Sequence, residues 1–573
     1  MASASEEFMP ELDEDEQFYR DTEKVAFPKL DDHQLALLEP LGTRRIVRRG
    51  EPVFKAGQRD MPLAVVLSGA LEALESRDGQ EQILATGHPR DFIGDVAMLM
   101  GTAALATVRG VAEESEILEV PACRLRQALA ELPGVSEPIV RAFIMRRHRL
   151  QRDREFAGMR IVAQDGLREG RQLDDFLDKN HIPHRLIDFQ SESGRVLCER
   201  LHLSSRDLPA LITANGMPLR HPSLREVARV AGLLRTAAGD EEGEISCDLA
   251  IVGAGPAGLA AAVNAASEGL KTIVFESYAP GGQAGSSSLI ENFFGFPTGV
   301  RGGELTYNAQ LQAYRFGARI ATPAQALALT FTEGEYRANL RAEGCDVGLR
   351  AKCVLIATGA EYRRLAAEGR EEFEGTGVYY AATGREAQLC RGSTVIVAGG
   401  GNSAGQAAMF LSENCAKVLL VIRGEALAKS MSSYLSRRVE AKENIEILAH
   451  TEIRRMMGNK ALEAAELEDA RTHERRTIQT SAIFSMIGAL PCTSWLPPEI
   501  ECDEKGFIKT GPAVADAPAW KGAKRSPGPL ETSRPGIFAA GDVRSGSVKR
   551  CAAAVGEGGM AVAGVHEVLG TYE

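Results

Sequence analysis

No two of the ten cysteines stand close enough to make a Cys-x-x-Cys. They fall at 123, 198, 247, 345, 353, 390, 415, 492, 502 and 551, and the nearest pair, Cys345 and Cys353, has seven residues between its members. That spacing excludes a zinc knuckle or other cysteine metal site, and it excludes a local redox dithiol. Scattered single cysteines read as reduced, mostly buried thiols of a cytoplasmic protein. Surplus positive charge is missing too. The 66 basic and 78 acidic residues leave a net charge of −12, and nucleic acid is excluded as the default partner because phosphate binding needs Lys and Arg in excess. The opening residues, MASASEEFMPELDEDEQ, lack the basic start and apolar core of a secretory signal. Long uncharged runs are scarce. In the one at 249–266, LAIVGAGPAGLAAAVNAA, the glycines and Pro256 fall where a strand turns into a helix, so the chain is expected to be soluble and without membrane contact. What is plentiful is glycine: 58 of 573 residues, about 10% against a usual ~7%. That excess calls for sharp turns or close approach of backbone to a ligand.

The length predicts three to four domains, and the pattern changes along the chain accordingly. Residues 1–24 read as an acidic, mobile tail. From 25 to 151, short alternating segments such as VFKAG, LAVVLSGALEALES, QEQILATGH and EILEVP suit an all-β roll. A basic helix over 122–151 closes it. From 156 to 234 strands and helices mix: MRIVAQ, HRLIDFQ and LPALITANG read as strands, REGRQLDDFLDKN and PSLREVARVAGLL as helices. Residues 237–246 read as a charged linker. After Cys247 apolar strands alternate with helical stretches, the α/β pattern, and 511–536 reads as a long Pro/Gly-rich loop.

The strongest signal is DLAIVGAGPAGLAAAVNAASEGLKTIVFES at 248–277. A strand runs into Gly253-x-Gly255-x-x-Gly258, a small-residue helix follows, and a second strand ends at Glu276. The first glycine permits the turn, the second admits a pyrophosphate to the backbone N–H groups, and the third lets helix and strand pack closely. An acid at the end of the second strand accepts the ribose hydroxyls of a dinucleotide. A second copy, STVIVAGGGNSAGQAAMFLSENCAKVLLVIRG at 393–424, carries Gly399-x-Gly401-x-x-Ala404 and ends its second strand at Arg423. A cation there favours the 2′-phosphate of NADPH. Lys429 and Arg437 lie downstream and can add to the same site; the alternative is that Arg423 is a solvated strand-end residue. One acid-ended and one base-ended fold together suggest FAD in the first and NADPH in the second.

Three further stretches carry a family resemblance: GGQAGSSSLIENFFGFP at 281–297, ATG at 357–359 and GIFAAGDVRSGSVKRCAAAVGEGGMAV at 536–562. With the two Gly-rich loops they resemble the low-molecular-weight thioredoxin reductases, a branch of the pyridine nucleotide-disulfide oxidoreductases. The resemblance implies an FAD domain split between 247–362 and 490–573, with an NADPH domain at 363–489 inserted. It also implies Gly253, Gly255, Pro256, Ala257, Gly258, Glu276, Gly282, Gln283, Asn292, Thr358, Gly359, Gly541, Asp542, Lys549, Arg550 and Cys551 as the FAD site. Within that set Gln283 and Asn292 would contact the isoalloxazine and Asp542 the ribitol. Gly399, Gly401, Asn402, Ser403, Ala404, Arg423 and Lys429 would form the NADPH site, and the family is usually homodimeric.

The same resemblance exposes a gap. Thioredoxin reductases carry their redox Cys-x-x-Cys shortly before the second Gly-rich loop, and here Ala381 and Gly384 occupy those positions. Cys390 is nearby but alone, and one thiol cannot cycle as an intramolecular disulfide. No catalytic residue is therefore assigned. The roll resembles a cyclic-nucleotide-binding domain through RRGEPVFKAGQ, VVLSGALEAL and FIGDVAMLMGTAALATV. Gly94-Asp95 stand for that family's Gly-Glu pair, but Ala104-Leu105-Ala106 before Thr107 offer no Arg for the cyclic phosphate, so a ligand-free structural or partner-binding roll is expected. Residues 156–234 more faintly resemble a glutaredoxin or thioredoxin-like domain, with Leu208-Pro209 at its cis-proline position and no cysteine near 165–168.

The expected fold is multidomain: an α/β flavoprotein with two dinucleotide-binding domains, preceded by a β-roll and a small thioredoxin-like α/β domain. The expected activity is NADPH oxidation by an FAD enzyme of the thioredoxin-reductase class lacking the usual dithiol, with N-terminal domains that sense or dock. Its acceptor would be thioredoxin-like, ferredoxin-like or a small molecule. Alternatives are a ferredoxin–NADP reductase-like enzyme, an NADPH oxidase, or a non-catalytic redox sensor.

Overall fold

The computed structural model describes residues 14–570 apart from 78–79, 154–155, 157, 165–166, 235–244, 288, 332–337, 343–348, 375, 381, 383, 428–430, 460, 522 and 524. The chain forms two compact units, residues 1–242 with 311–324, and residues 243–310 with 325–573. The expected linker lies almost wholly outside the described residues.

In the first unit the roll is built from two four-stranded sheets. One runs in the order Thr43–Arg48, Glu114–Val120, Leu63–Ser68, Phe92–Ile93, the other Pro52–Phe54, Thr107–Gly110, Leu71–Arg77, Gln80–Gly87. The single long run expected over 63–76 is two strands, Leu63–Ser68 in the first sheet and Leu71–Arg77 in the second, because Gly69 turns the chain at φ +76°. The closing helix is likewise two helices, Ala122–Glu131 and Pro133–Arg152. Pro133 cannot donate into a preceding turn, so it ends the first helix and starts the second. The expectation of a mobile tail to residue 24 fails over its second half, where Glu14–Ala26 is a helix. Its aromatics find cationic partners on the last turns of Pro133–Arg152: Arg149 lies 4.9 Å over the Tyr19 ring and Arg152 4.6 Å over Phe18. Acidic composition alone gave no sign of that anchoring.

The second lobe of this unit is a mixed sheet in the order His184–Asp188, Met159–Ala163, Ala210–Ile212, Pro218–Arg220, the first pair parallel and the rest antiparallel. Helices Arg168–Lys179, Glu192–Leu201 and Leu224–Ala231 belong to it, and the Leu208–Pro209 peptide is cis. Ser191 and Ser223 each cap a helix, as Ser does where it satisfies a first-turn N–H.

The second unit carries two further α/β sheets. The first has neighbours Thr272–Phe275, Ile245–Val252, Leu349–Ile356, Ala338–Ala342 and Ala326–Phe331. Ile537–Ala539 pairs in parallel with the C-terminal half of Leu349–Ile356. The second sheet is wholly parallel: Val378–Tyr379, Ala482–Ser485, Thr394–Ala398, Lys417–Val421, Ile445–Leu448. Its strands are buried along nearly their whole length, which is why they read as continuous apolar runs rather than alternations. A short antiparallel pair, Ala360–Tyr362 with Ala489–Pro491, joins the two chain crossings between these sheets. A three-stranded antiparallel sheet, Thr451–Gly458, Leu462–Asp469 and Arg475–Gln479, completes the unit.

Candidate active site

Four separate stretches of the second unit converge on the first turn of helix Pro256–Ser267. Strand Ile245–Val252 leads to Gly253 at φ +102°, where a Cβ would lie 2.3 Å from the Ala357 carbonyl oxygen and 3.0 Å from the Thr358 Cα. No side chain fits there. Gly255 caps the helix, with Pro256 at its first position, where a missing N–H costs nothing. A Cβ on Gly255 would meet only the Gly282 Cα, at 4.0 Å, so the N–H groups of this turn are open to a pyrophosphate. On Gly258 it would sit 1.8 Å from the Gly253 carbonyl oxygen, the close helix–strand approach that the third glycine allows. Gly541, at φ +77°, brings the fourth stretch within 3.0 Å of the Ala257 Cβ by the same measure.

Glu276 follows strand Thr272–Phe275. Its two carboxylate oxygens accept from the N–H of Ala254 at 2.8 Å and of Tyr278 at 3.0 Å. Burial pushes its pKa up, and these donors oppose the rise. An acid fixed beside the Gly-rich turn is what an adenosine ribose requires, so the residues present fit a dinucleotide. Gln283 donates to the carbonyl of Ala360, and Thr358 Oγ1 donates to the carbonyl of Cys492 at 2.9 Å. Gly359 has φ +66°. Asn292 is exposed, and no hydrogen bond among the described residues ties it to this turn.

Sequence reasoning missed the residues that hold the Gly541-Asp542 turn. Glu557, on helix Cys551–Gly570, accepts from the Gly541 N–H at 2.7 Å and from Arg544 Nε at 3.2 Å. A lone acid in the apolar, glycine-rich stretch AAAVGEGGMAV was the signal, since a buried carboxylate needs partners. Burial raises the pKa of Asp542 while Lys549 opposes the shift. Lys549 Nζ donates to the Asp542 carbonyl and lies 4.3 Å over the Phe507 ring. Arg550 precedes the last helix, and Cys551 opens it with its thiol pushed up to about 11 by burial.

The second Gly-rich turn repeats the first. Gly399 has φ +139°, and a Cβ there would lie 2.2 Å from the Met486 carbonyl oxygen. Gly401 caps helix Asn402–Leu411, which includes Ser403 and the fully buried Ala404. Asn402 Oδ1 accepts from the Ser432 N–H at 2.8 Å, tying this turn to the segment before helix Ser433–Glu440. Arg423 follows strand Lys417–Val421, is exposed and has no charged partner among the described residues. Lys429 and Ala381 lie outside the described residues. Gly384 starts the short helix Gly384–Leu389. Cys390 just beyond it is 2% exposed, with its thiol pushed up to about 11 by burial, so it is a thiol rather than the reactive thiolate at neutral pH.

Residues 247–558 match the family model for pyridine nucleotide-disulphide oxidoreductases. The chain belongs to that family. It is 32% identical over 330 residues to a thioredoxin reductase of Treponema pallidum, covering 58% of this chain and 99% of that one. It is 32% identical to a thioredoxin reductase of Schizosaccharomyces pombe, covering 54% and 92%. Among solved structures it resembles T. acidophilum thioredoxin reductase, at 28% identity and TM-score 0.50 over 56% of this chain and 99% of that one. It also resembles Lactococcus lactis thioredoxin reductase in its FR conformation, at 26% and 0.50 over 57% and 99%. This oxidoreductase is thus an enzyme of a class that works with FAD and NADPH. Ahead of that region, residues 44–131 match the cyclic nucleotide-binding domain model. In that roll Asp95 is held by Arg147, Nη2 to Oδ2 2.6 Å, and the Thr107 hydroxyl accepts from the Ala56 N–H at 3.1 Å. No helix among the described residues is long and apolar enough to cross a membrane.

Proposed function

We propose that this oxidoreductase takes hydride from NADPH at 363–489 into FAD held by 247–362 and 490–573, and delivers the electrons without an internal dithiol. The reading rests on one observation above the rest: four sequence stretches converge on the turn Gly253–Gly258, while no Cys-x-x-Cys exists anywhere in the chain. When bound, the flavin supplies two-electron acceptance from nicotinamide and onward release. The chain's own residues bind and orient. Gly253, Gly255 and Gly258 admit the pyrophosphate to the helix N-terminus, Glu276 takes the ribose, and Asp542, anchored through Glu557, takes the ribitol. Gln283 and Asn292 act at the ring, and Arg423 pairs with the 2′-phosphate of NADPH.

The acceptor is a thioredoxin-like or ferredoxin-like protein or a small molecule, reached directly from the flavin. The enzyme works in the cytoplasm as a homodimer, and the N-terminal roll and thioredoxin-like lobe sense or dock. Stopped-flow reduction of the purified protein by NADPH, followed by an acceptor screen, tests the reading. Rapid bleaching of the flavin and sustained turnover with one acceptor class are expected. A protein that cannot be loaded with FAD overturns it.

A further inference from the structure

A cavity of about 220 Å³ opens in the first unit between the roll's Thr102–Leu105 loop and the second lobe's sheet. Three guanidinium groups line it, Arg59, Arg147 and Arg229, and no carboxylate does. Arg147 is 1% exposed and forms its buried floor. Two of its nitrogens are used, Nη2 on Asp95 at 2.6 Å and Nη1 on the carbonyl of His181 at 3.1 Å, whereas its Nε is buried without a hydrogen-bond partner. A buried donor left unsatisfied is destabilising, and such groups in native proteins answer to a water, an ion or a ligand. Arg59 and Arg229 are exposed and stand at the mouth. Arg59 Nη2 donates to the carbonyls of Gly232 and Leu234 at 3.1 and 3.0 Å, contacts that leave its charge unneutralised. Arg229 has no charged partner among the described residues, and Asp60, the acid next to Arg59, faces Arg126 at 3.7 Å. The remaining wall is largely apolar, with Met159, Ile182 and Leu219 among its residues.

We propose that this cavity is a binding site for a small organic anion, a phosphate monoester or carboxylate on an apolar body. The charged head would meet Arg229 and Arg59, a polar atom of the ligand or an ordered water would accept from Arg147 Nε, and the body would sit against the apolar wall. Guanidinium groups pair with both heads through parallel N–H donors. The cavity differs from the interior pocket that the roll's resemblance suggests, because most of its wall comes from the second lobe and the acid expected to meet a ribose, Asp95, is engaged by Arg147. The proposal stands apart from the flavin chemistry, which uses none of these residues.

The test is calorimetric titration of the full-length, FAD-loaded protein, with its nucleotide sites saturated by NADP⁺. Phenyl phosphate, benzoate and neutral benzyl alcohol serve as probes. At least one anion is expected to bind and benzyl alcohol to bind far more weakly. Arg229→Glu is expected to weaken the anion by about tenfold or more, and Arg229→Lys to restore part of the loss. Flavin content and NADPH turnover with an artificial acceptor should be unchanged in both variants. No binding of either anion at millimolar concentration overturns the proposal, as does equal binding of the neutral probe. So does an affinity unmoved by Arg229→Glu, since Arg229 is exposed and its replacement leaves the fold intact; a circular dichroism spectrum matching wild type checks that. Loss of flavin or turnover would instead count against the reading of the second unit.

Discussion

Arg423 is a single exposed cation whose meaning depends on what it meets. At the end of the second strand of a dinucleotide fold, it is the residue proposed to meet the adenosine 2′-substituent. Arg423→Ala should raise the KM for NADPH by about tenfold to a hundredfold, the worth of a charge-assisted phosphate contact of about 1.5–3 kcal/mol, and leave NADH nearly unchanged. Steady-state kinetics with both cofactors check this, and equal effects on the two would mean that Arg423 never meets the phosphate. His181 offers a second prediction at this scale. Burial, with Arg147 and His148 adding repulsion, holds its imidazole down at about 4 against an ordinary value of 6.5. Between those pH values the unfolded chain takes up a proton that the folded one refuses, so stability is full above about 6.5 and falls as pH drops towards about 4. His181→Asn keeps a residue that tolerates the φ of +55° found there. Its thermal unfolding midpoint should fall less steeply than wild type over that window, and parallel curves would show that another group carries the pH dependence.

The glycines that start helices Pro256–Ser267 and Asn402–Leu411 permit a cleaner separation. A Cβ on Gly253 or Gly399 would drive into a carbonyl oxygen at 2.3 or 2.2 Å, in a φ region that side chains rarely adopt. Gly253→Ala should therefore yield a protein that loses its flavin. Gly399→Ala should stay yellow but be reduced by NADPH at least tenfold more slowly; absorbance at the flavin band and stopped-flow rates distinguish them. These two elements were legible in the sequence, because a strand, three small residues at fixed spacing and a charged strand end are each dictated by local geometry. The partners were not. The lone acid of GEGG marks a carboxylate that needs a partner but not that the partner is the Gly541 N–H, and nothing in the acidic stretch before Ala26 announces that Tyr19 and Phe18 will lie on Arg149 and Arg152. Such contacts join residues far apart in the chain, so periodicity cannot reveal them. Helix Glu192–Leu201 and the antiparallel sheet at 451–479 were missed for a related reason. Their polar faces give weak patterns that only packing against neighbours stabilises.

For the molecule as a whole, the question is where electrons leave. Its relatives are thioredoxin reductases by name, yet the thiols here are scattered, and burial holds Cys247, Cys353, Cys390, Cys492 and Cys551 well above the ordinary thiol range. NADPH consumption with a panel of thioredoxins should stay at its basal level in wild type and in Cys390→Ser alike. Efficient turnover in both would reveal a relay through other groups, and turnover lost only in Cys390→Ser would assign the chemistry to that thiol. The pairing of Ile537–Ala539 with Leu349–Ile356 has a bearing on biosynthesis as well. A ribosome finishes the inner strand of that sheet and must then make the whole inserted domain before the neighbouring strand emerges. Meanwhile the nascent chain holds out an apolar strand with an unpaired edge, the kind of surface that recruits chaperones or aggregates. Pigmentation would then report complete translation, because a prematurely terminated chain has the Gly-rich turn but not the strand and helix that close over it.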